Sequence, residues 1–234
     1  MKALIFAAGL GERMRPLTDH TPKPLIEAGG KSLIVWHLEK LAAMGIQDVV
    51  INTSWLADRF PVVLGDGARW GLRIQYLYEG DTPLETGGGM LNALALLGEA
   101  PFLLVNGDIW TDFDFNRLPR EPQGLAHLVM IDPPGYATHG DFALDPAGHV
   151  RGDGERRLTY AGIGVYRPAL LDGWAQHVDD HASIAGNGKP RFRLAPILRA
   201  HMPAGRIHGE HHAGRWTDVG TPERLADLNR ELSR

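Results

Sequence analysis

The chain has 234 residues, enough for one large domain or two small ones, and 44% of them are hydrophobic. The net charge is −4 with no basic block, which argues against a nucleic-acid partner held by phosphate neutralisation. There is no cysteine, so disulfides and thiolate metal sites are excluded. No run approaches the roughly 18 apolar residues that a membrane span needs, and we expect a cytoplasmic protein without a membrane partner.

Short apolar runs and amphipathic stretches alternate through the first half of the chain. Strands are predicted at residues 2–8, 48–52, 72–78 and 101–106. Helices are predicted at 32–44, 57–64 and 90–97, the last directly after the glycines at 87–89. This alternation predicts an α/β fold, in which right-handed βαβ units build a Rossmann-like, mostly parallel sheet flanked by helices.

The second half of the chain has a different pattern. Strands are predicted at 126–131, 140–144 and 159–166 with little helix between them, and helices at 193–200 and 222–232. Strands without crossover helices pair antiparallel, so we expect a smaller antiparallel extension of the sheet. No repeat or linker divides the chain, which predicts one domain over 1–234.

A glycine loop, Gly9-Leu10-Gly11, follows the first strand, where backbone amides can face a phosphate. A dinucleotide fingerprint is excluded, because Met14 replaces its third glycine and Pro16 breaks the helix that it needs. A phosphate-binding P-loop is excluded as well, because Leu25 precedes the Gly-Lys-Ser of 30–32 where that motif needs glycine. The remaining interpretation is an extended loop that carries its own cations, Arg13, Arg15 and Lys23.

The stretch AAGLGERMRPLTDHTPKPL at 7–25 resembles the signature of the sugar-1-phosphate nucleotidyltransferases, which make UDP-, dTDP- and GDP-sugars. The resemblance extends over essentially the whole chain, with Glu12 as a departure where much of the family carries Ser or Thr. It is strongest to the branch that uridylylates N-acetylmuramate 1-phosphate in bacterial cell-wall recycling. The resemblance implies the family's fold, UTP and a sugar 1-phosphate as substrates, and Mg²⁺ as cofactor.

The charged loop suits the triphosphate of such a reaction. Backbone amides at Ala8, Gly9 and Gly11 can hold the phosphate chain, and Arg13 can clamp the leaving pyrophosphate. Lys23, between two prolines, is a point charge on a stiff backbone, suited to the sugar phosphate or the α-phosphate. We therefore expect Arg13 and Lys23 to be catalytic, with Asp108 as the third catalytic residue.

Two aspartates are candidates for the metal site. Asp108 follows the strand at 101–106, at the sheet edge where ligands of α/β proteins bind, and Asp218 lies in Trp-Thr-Asp-Val-Gly-Thr. The resemblance implies that both hold one Mg²⁺. Other acidic and histidine residues nearby are interpreted as a solvent-facing loop and an exposed strand: Asp112, Asp114, and His208-Gly-Glu-His-His at 208–212.

The base and the sugar are expected on either side of the phosphates. For the base, the resemblance points to Glu79, whose carboxylate can accept from the uracil N–H, and to Thr86 and Gly87. For the sugar it points to Asn106, Gly140, Asp141 and Gly162. An acidic sugar ligand at Asp153 or Glu155 stays open, as does recognition of a lactyl carboxylate by Arg193 or Lys189.

These assignments divide the domain into 1–110, mainly nucleotide-binding, and 111–234, mainly sugar-binding with the second metal ligand. The expected reaction is an in-line displacement that needs no general base, because a phosphate nucleophile is already ionised. Two alternatives remain open at this stage. One is a guanylyl- or thymidylyltransferase of the same family, and the other is a catalytically silent nucleotide-sugar sensor.

Overall fold

The structure, a computed structural model, describes residues 1–137 and 139–233. Its helices are α1 (Leu33–Ala43), α2 (Arg59–Leu64), α3 (Glu85–Leu97), α4 (Leu194–His201) and α5 (Pro222–Leu232). Its strands are β1 (Lys2–Phe6), β2 (Glu27–Ala28), β3 (Lys31–Ser32), β4 (Asp48–Thr53), β5 (Arg73–Tyr78), β6 (Phe102–Asn106), β7 (Ile109–Thr111), β8 (Ala126–Ile131), β9 (Phe142–Leu144), β10 (Val150–Arg151), β11 (Arg157–Tyr166), β12 (Ser183–Ile184), β13 (Pro190–Arg191), β14 (Ile207–His212) and β15 (Trp216–Asp218).

A nine-stranded sheet organises these elements. Strands β5, β4, β1 and β6 run parallel in that order, and β11 pairs antiparallel with β6. Beyond β11, β8 pairs antiparallel and β14 adds parallel to β8, while β9 and β10 continue from the start of β11. The mostly parallel sheet with an antiparallel extension is therefore confirmed.

The central strands are apolar throughout because helices cover both faces of the sheet. Ile5 of β1 belongs to the core on the side of α1, where it is grouped with Ile34 and Leu38. Its neighbour Leu4 faces the other side and belongs to the core of α3 and α4. Both residues are fully buried, which explains why β1 shows a continuous apolar run instead of alternation.

Helix α3 begins at Glu85, five residues before the predicted start at Met90. The three glycines lie inside the helix because other parts of the protein pack directly against it. A Cβ at Gly87 would lie 2.5 Å from the ring of Phe192, and one at Gly88 would lie 2.4 Å from the carbonyl oxygen of Pro190. The amides of Gly87 and Gly88 both donate to the Phe192 carbonyl, at 2.9 and 3.1 Å. The segment from Pro190 to Phe192 thus caps α3.

Three short ribbons, β2–β3, β12–β13 and β15–β7, were not predicted from the sequence. Strand β15 pairs antiparallel with β7, with Asp218 opposite Ile109, and so returns the C-terminal part of the chain to the end of β6. Strands β12 and β13 form a hairpin beside the start of α3. Among the described residues, no helix is both long enough and apolar enough to cross a bilayer.

Replacement of Gly88 by alanine should destabilise the protein by about 1–3 kcal/mol, the usual range for an overpacked contact. The added methyl group collides with the Pro190 carbonyl, a backbone atom that cannot rotate away. Gly186→Ala, in the neighbouring hairpin, is the control, because a Cβ there meets no atom within 4 Å. Urea unfolding measures both variants, and equal midpoints would contradict the packing account.

Candidate active site

A cleft of about 440 Å³ opens at the carboxyl ends of β1, β4 and β6. This is the edge at which the parallel strands of an α/β sheet place ligands. Its walls come from the loop after β1, the ends of β4 and β6, the segment before α3, and β13. The lining residues are Phe6, Ala7, Ala8, Gly9, Leu10, Lys23, Pro24, Asn52, Glu79, Asp81, Thr82, Pro83, Glu85, Thr86, Asn106, Asp108 and Arg191.

A second cavity of about 400 Å³ adjoins the first. It is lined by Gly9, Leu10, Gly11, Glu12, Arg13, Met14, Lys23, Asp108 and Gly220. Both cavities share the glycine loop and the pair Lys23 and Asp108. An extended ligand that crosses from one cavity to the other therefore passes Lys23 and Asp108.

Lys23 and Asp108 form an ion pair in which Lys23 Nζ lies 2.6 Å from Asp108 Oδ2. Lys23 is 9% exposed, and the amide of Leu25 donates to the carbonyl of Pro22 in a turn that fixes the lysine backbone. The amide of Gly107 donates to the carbonyl of Phe6 at 2.8 Å, which holds the end of β6 against the end of β1. The sequence motifs thus converge in space.

The glycine loop presents backbone amides to both cavities. The amides of Ala8, Gly9, Leu10 and Gly11 have no acceptor within the part of the chain that the structure describes. Gly11 has a φ of +67°, a conformation that favours glycine, and its carbonyl accepts from the Thr18 hydroxyl at 2.8 Å. Unpaired amides beside a lysine form an anion-binding surface.

Asn52, at the end of β4, is a site residue that the sequence analysis missed. Its Oδ1 accepts from the amide of Ala7 at 2.7 Å, and its Nδ2 donates to Glu79 Oε1 at 2.7 Å. It is 3% exposed and connects the glycine loop to Glu79, which follows β5. The available signal was an amide side chain in an otherwise apolar run at the end of a buried strand.

Glu79 is 1% exposed, and its second oxygen accepts from the amide of Leu84 at 2.9 Å. Burial raises the pKa of Glu79, while the bonds from Leu84 and Asn52 oppose that rise. Both carboxylate oxygens are therefore engaged within the protein. This geometry makes Glu79 a buried support of the segment 79–84 at the wall of the cleft, and its expected contact with the base stays a prediction.

The other two residues expected at the base differ in position. Thr86 lies exposed at the rim of the cleft, and its hydroxyl oxygen accepts from the amide of Leu194 at 2.9 Å. Gly87 does not line the cleft, because it is buried beneath Phe192 and its amide is bonded there. The absence of a side chain at Gly87 allows this helix packing, and its expected contact with the nucleotide stays a prediction.

An ion pair at the cleft mouth was also not predicted. Arg191 Nη2 lies 2.7 Å from Glu85 Oε1, and Arg191 Nε donates to the carbonyl of Pro83 at 3.1 Å. Glu85 has a φ of +62°, a left-handed conformation that costs a residue other than glycine roughly 1 kcal/mol or more. The hairpin thus holds Glu85, the first residue of α3, in a strained backbone conformation.

Asp218 lies beside Asp108 because β15 pairs with β7. The amide of Val219 donates to the Asp108 carbonyl at 2.9 Å. The Asp218 carboxylate is bonded by Arg224 and by the hydroxyl of Tyr136. Within residues 1–137 and 139–233, no group of three or more His, Asp or Glu side chains is arranged to hold a metal ion.

Arg13 lies exposed on the wall of the second cavity, with no carboxylate partner among the described residues. It approaches the C-terminal part of the chain at Gly220. A Cβ built there would lie 2.7 Å from Arg224 Nη1, 2.9 Å from Asp218 Oδ2 and 3.5 Å from Arg13 Nη2. A larger residue at Gly220 would require the ends of these side chains to shift.

Gly162 and Asn106, which are both expected to contact the sugar, are in contact with each other. Gly162 has a φ of +73°, and a Cβ there would lie 2.5 Å from Asn106 Nδ2. Asn106 lines the cleft and ends β6. This pair brings the bulge of β11, at which its register against β8 shifts, to the edge of the cleft.

Gly140 and Asp141 precede β9, which begins at Phe142, and neither residue lines the cleft. A Cβ at Gly140 would lie 2.6 Å from the backbone of Arg157. Asp141 Oδ2 accepts from the amide of Tyr160 at 2.9 Å. These contacts hold β11 in place, and the expected sugar contacts of Gly140 and Asp141 stay a prediction.

The structure also places the four residues whose roles the sequence analysis left open. Asp153 and Glu155 are exposed and outside the cleft lining. Arg193 is exposed next to Leu194, whose amide bonds Thr86, and the charge of Lys189 opposes the rise that burial causes in the pKa of Glu79. Lys189 therefore lies on the same side of the cleft as Glu79.

The histidines and aspartates at 112–114 and 208–212 bond with one another and with arginines. His212 Nε2 lies 2.8 Å from Asp112 Oδ1, and the Asp114 carboxylate accepts from the amide of Asn116. Glu210 pairs with Arg117 at 2.6 Å. These contacts join β14 to the loop after β7.

This sheet edge, with a glycine loop, a buried lysine and aspartates at strand ends, defines a nucleotidyltransferase site. A family model described as "Nucleotidyl transferase" matches residues 2–141, and the chain belongs to that family. The chain is 45% identical to an N-acetylmuramate alpha-1-phosphate uridylyltransferase of Neisseria meningitidis serogroup B, over 97% of this chain and 96% of that protein.

Two further comparisons agree in fold and family. A Caulobacter vibrioides protein with the same name is 34% identical, over 94% of this chain and 92% of its own length. A solved structure from Bacillus anthracis, assigned as a glucose-1-phosphate thymidylyltransferase, covers 99% of this chain and 95% of its own, with a TM-score of 0.84 and 20% identity. The last comparison supports the fold alone.

Replacement of Asn52 by alanine should both destabilise the protein and weaken nucleotide binding. It leaves the Ala7 amide and Glu79 Oε1 without their buried partner, at a cost of about 1–3 kcal/mol. Thermal unfolding and fluorescence titration with nucleotide measure the two effects. Asn116→Ala, at an exposed position, is the control, and unaltered nucleotide affinity in Asn52→Ala would contradict the connecting role.

Proposed function

We propose that this chain transfers a uridylyl group from UTP to N-acetylmuramate 1-phosphate, giving UDP-N-acetylmuramate and pyrophosphate. Two relatives aligned over more than nine tenths of this chain carry that activity in their names, which supports these substrates. The reaction would belong to the recycling of cell-wall sugars in the cytoplasm. In this proposal residues 1–110 mainly bind the nucleotide, while 111–234 mainly bind the sugar and supply the second metal ligand.

The observation that carries the proposal is the pair of adjoining cavities that share Lys23 and Asp108. A transfer at an α-phosphorus needs room for the nucleoside and the acceptor on one side and for pyrophosphate on the other. The first cavity has the size for nucleoside and sugar. The second is lined by loop amides and Arg13, donors that suit pyrophosphate.

The residues present fit a magnesium ion between Asp108 and Asp218. These aspartates are neighbours across the β7–β15 ribbon, and each carboxylate already attracts a cation, Lys23 or Arg224. Mg²⁺ is commonly held by one or two carboxylates together with substrate phosphates and waters, so a third protein ligand is not required. When bound, it would neutralise charge on the phosphate oxygens.

The proposed chemistry is a single in-line displacement. An ionised phosphate oxygen of the sugar 1-phosphate attacks the α-phosphorus of UTP and forms the new P–O bond. The bond from the α-phosphorus to the bridging oxygen breaks, and pyrophosphate leaves with that electron pair. Lys23 would contact the α-phosphate, and Arg13 the leaving pyrophosphate. The nucleophile carries no proton to remove, so no general base is needed.

Pyrophosphate release should occur with UTP and N-acetylmuramate 1-phosphate and stop when the metal is chelated. The measurement is a coupled phosphate assay with four nucleoside triphosphates, several sugar 1-phosphates, and EDTA as the control. Release only with GTP or dTTP and another sugar would retain the class and contradict the proposed substrates. Nucleotide binding without release in any pairing would indicate a silent sensor.

Replacement of Lys23 by alanine should lower kcat on the order of 10²–10³-fold, the usual loss when one preorganised donor to transition-state charge is removed. Lys31→Ala is the matched control, since Lys31 pairs with Glu39 outside both cavities. Steady-state kinetics measure both variants, with circular dichroism to verify folding. Near-normal turnover in a folded Lys23→Ala protein would contradict the role of Lys23.

A further inference from the structure

Arg224, in the first turn of α5, contacts both oxygens of Asp218. Its Nη1 lies 2.6 Å from Oδ1 and 2.7 Å from Oδ2. The Tyr136 hydroxyl donates to the same carboxylate, and the guanidinium carbon lies 3.4 Å from the centre of the Tyr136 ring. Two residues from distant parts of the chain therefore hold Asp218.

A single nitrogen of Arg224 makes both contacts with Asp218. A guanidinium carries five N–H donors in a planar fork, and in the described part of the chain Nη2 and Nε of Arg224 have no acceptor. Arg224 can therefore bind a second acidic group without losing any other contact of its side chain. Its partially buried position, with 20% of the side chain exposed, limits where that group can lie.

The second group would lie in the cavity that Gly220 lines. Arg224 Nη1 and Arg13 Nη2 both approach the position of a Cβ at Gly220, at 2.7 and 3.5 Å. Gly220 forms part of the wall of the second cavity, together with Arg13 and Lys23. Two arginines thus approach one wall from different elements, the loop after β1 and the start of α5.

We propose that Arg224 is a second pyrophosphate-binding arginine, which exchanges Asp218 for the leaving group when a divalent cation binds Asp218. The cation needs the same oxygens that Nη1 contacts, so the two compete. Once displaced, the guanidinium turns its donors to the β- and γ-phosphates beside Arg13. The inference rests on the proposed function only in naming the anion as the pyrophosphate part of a nucleoside triphosphate.

This exchange couples the two ligands. A metal that displaces Arg224 makes it available for phosphate, and by linkage phosphate that binds Arg224 exposes Asp218 to metal by the same factor. The metal alone should therefore bind weakly, and a bound polyphosphate should raise the affinity of the protein for the metal. Lys23 and Asp108 repeat the arrangement on the other metal ligand.

The test compares Arg224→Met with Arg230→Met, an exposed arginine of the same helix that pairs with Asp227. Calorimetry measures Mn²⁺ alone, and then inorganic tripolyphosphate at saturating Mn²⁺. Arg224→Met should bind Mn²⁺ alone at least about fivefold more tightly and tripolyphosphate at least about fivefold more weakly, the lower range of such couplings. Tighter Mn²⁺ binding tests the competition for Asp218, and weaker tripolyphosphate binding tests the contact of Arg224 with phosphate. Unchanged or weaker Mn²⁺ binding, or unchanged tripolyphosphate binding, would overturn the proposal.

Arg224→Lys keeps the test decisive if the methionine variant does not fold. One ammonium nitrogen can retain the contact to Asp218 but lacks the fork, so Mn²⁺ affinity should stay near wild type while tripolyphosphate affinity falls. Equal tripolyphosphate affinity in a folded lysine variant would overturn the proposal. These titrations use no sugar or nucleoside, so their result does not depend on the substrates of the proposed function. Failure of uridylyl transfer by the wild-type protein is detected separately, by the assay of pyrophosphate release.

Discussion

A lysine ammonium held in the protein interior against a carboxylate organises this site. Lys23 lies 2.6 Å from Asp108 and is 9% exposed. A buried charge is costly unless it is paired, so the glycine loop cannot move from the end of β6 without leaving that ammonium unpaired. The pair also stands where the two cavities meet. The same contact therefore sets the shape of the loop and the point that a ligand spanning both cavities would pass.

Charge is arranged in alternation around that point. Asp108 pairs with Lys23, and Asp218 pairs with Arg224. Arg13 approaches the ion pair of Asp218 and Arg224 at Gly220. A triphosphate with a divalent cation carries the complementary alternation, since the cation needs carboxylates and the phosphates need lysine and arginine. Behind these charged residues, hydrogen bonds of the buried Asn52 connect the glycine loop to Glu79. The arrangement favours neutralisation of charge over proton transfer as the source of catalysis.

The sequence predicted the sheet well because the physical signal is local. β1, β4 and β6 are buried on two faces, and their apolar runs need no knowledge of the rest of the chain. The predicted start of α3 was wrong because Gly87 and Gly88 lie inside the helix, where Phe192 and Pro190 leave no room for a side chain. These two residues are about a hundred positions away along the chain. Turn-forming composition and close helix packing look alike in a single sequence. The same limit hid Asn52 and Arg191, whose partners come from distant segments, and it hid the buried bond between Asn52 and Glu79.

In the proposed reaction one α-phosphorus, held beside Lys23 and Asp108, passes directly from pyrophosphate to the sugar phosphate. The most direct measurement is the stereochemical course with a single diastereomer of uridine 5′-(1-thiotriphosphate), read by phosphorus NMR of the product. Direct in-line transfer predicts inversion at the α-phosphorus. Retention would mean two successive displacements through a covalent uridylyl-protein, and would contradict the account.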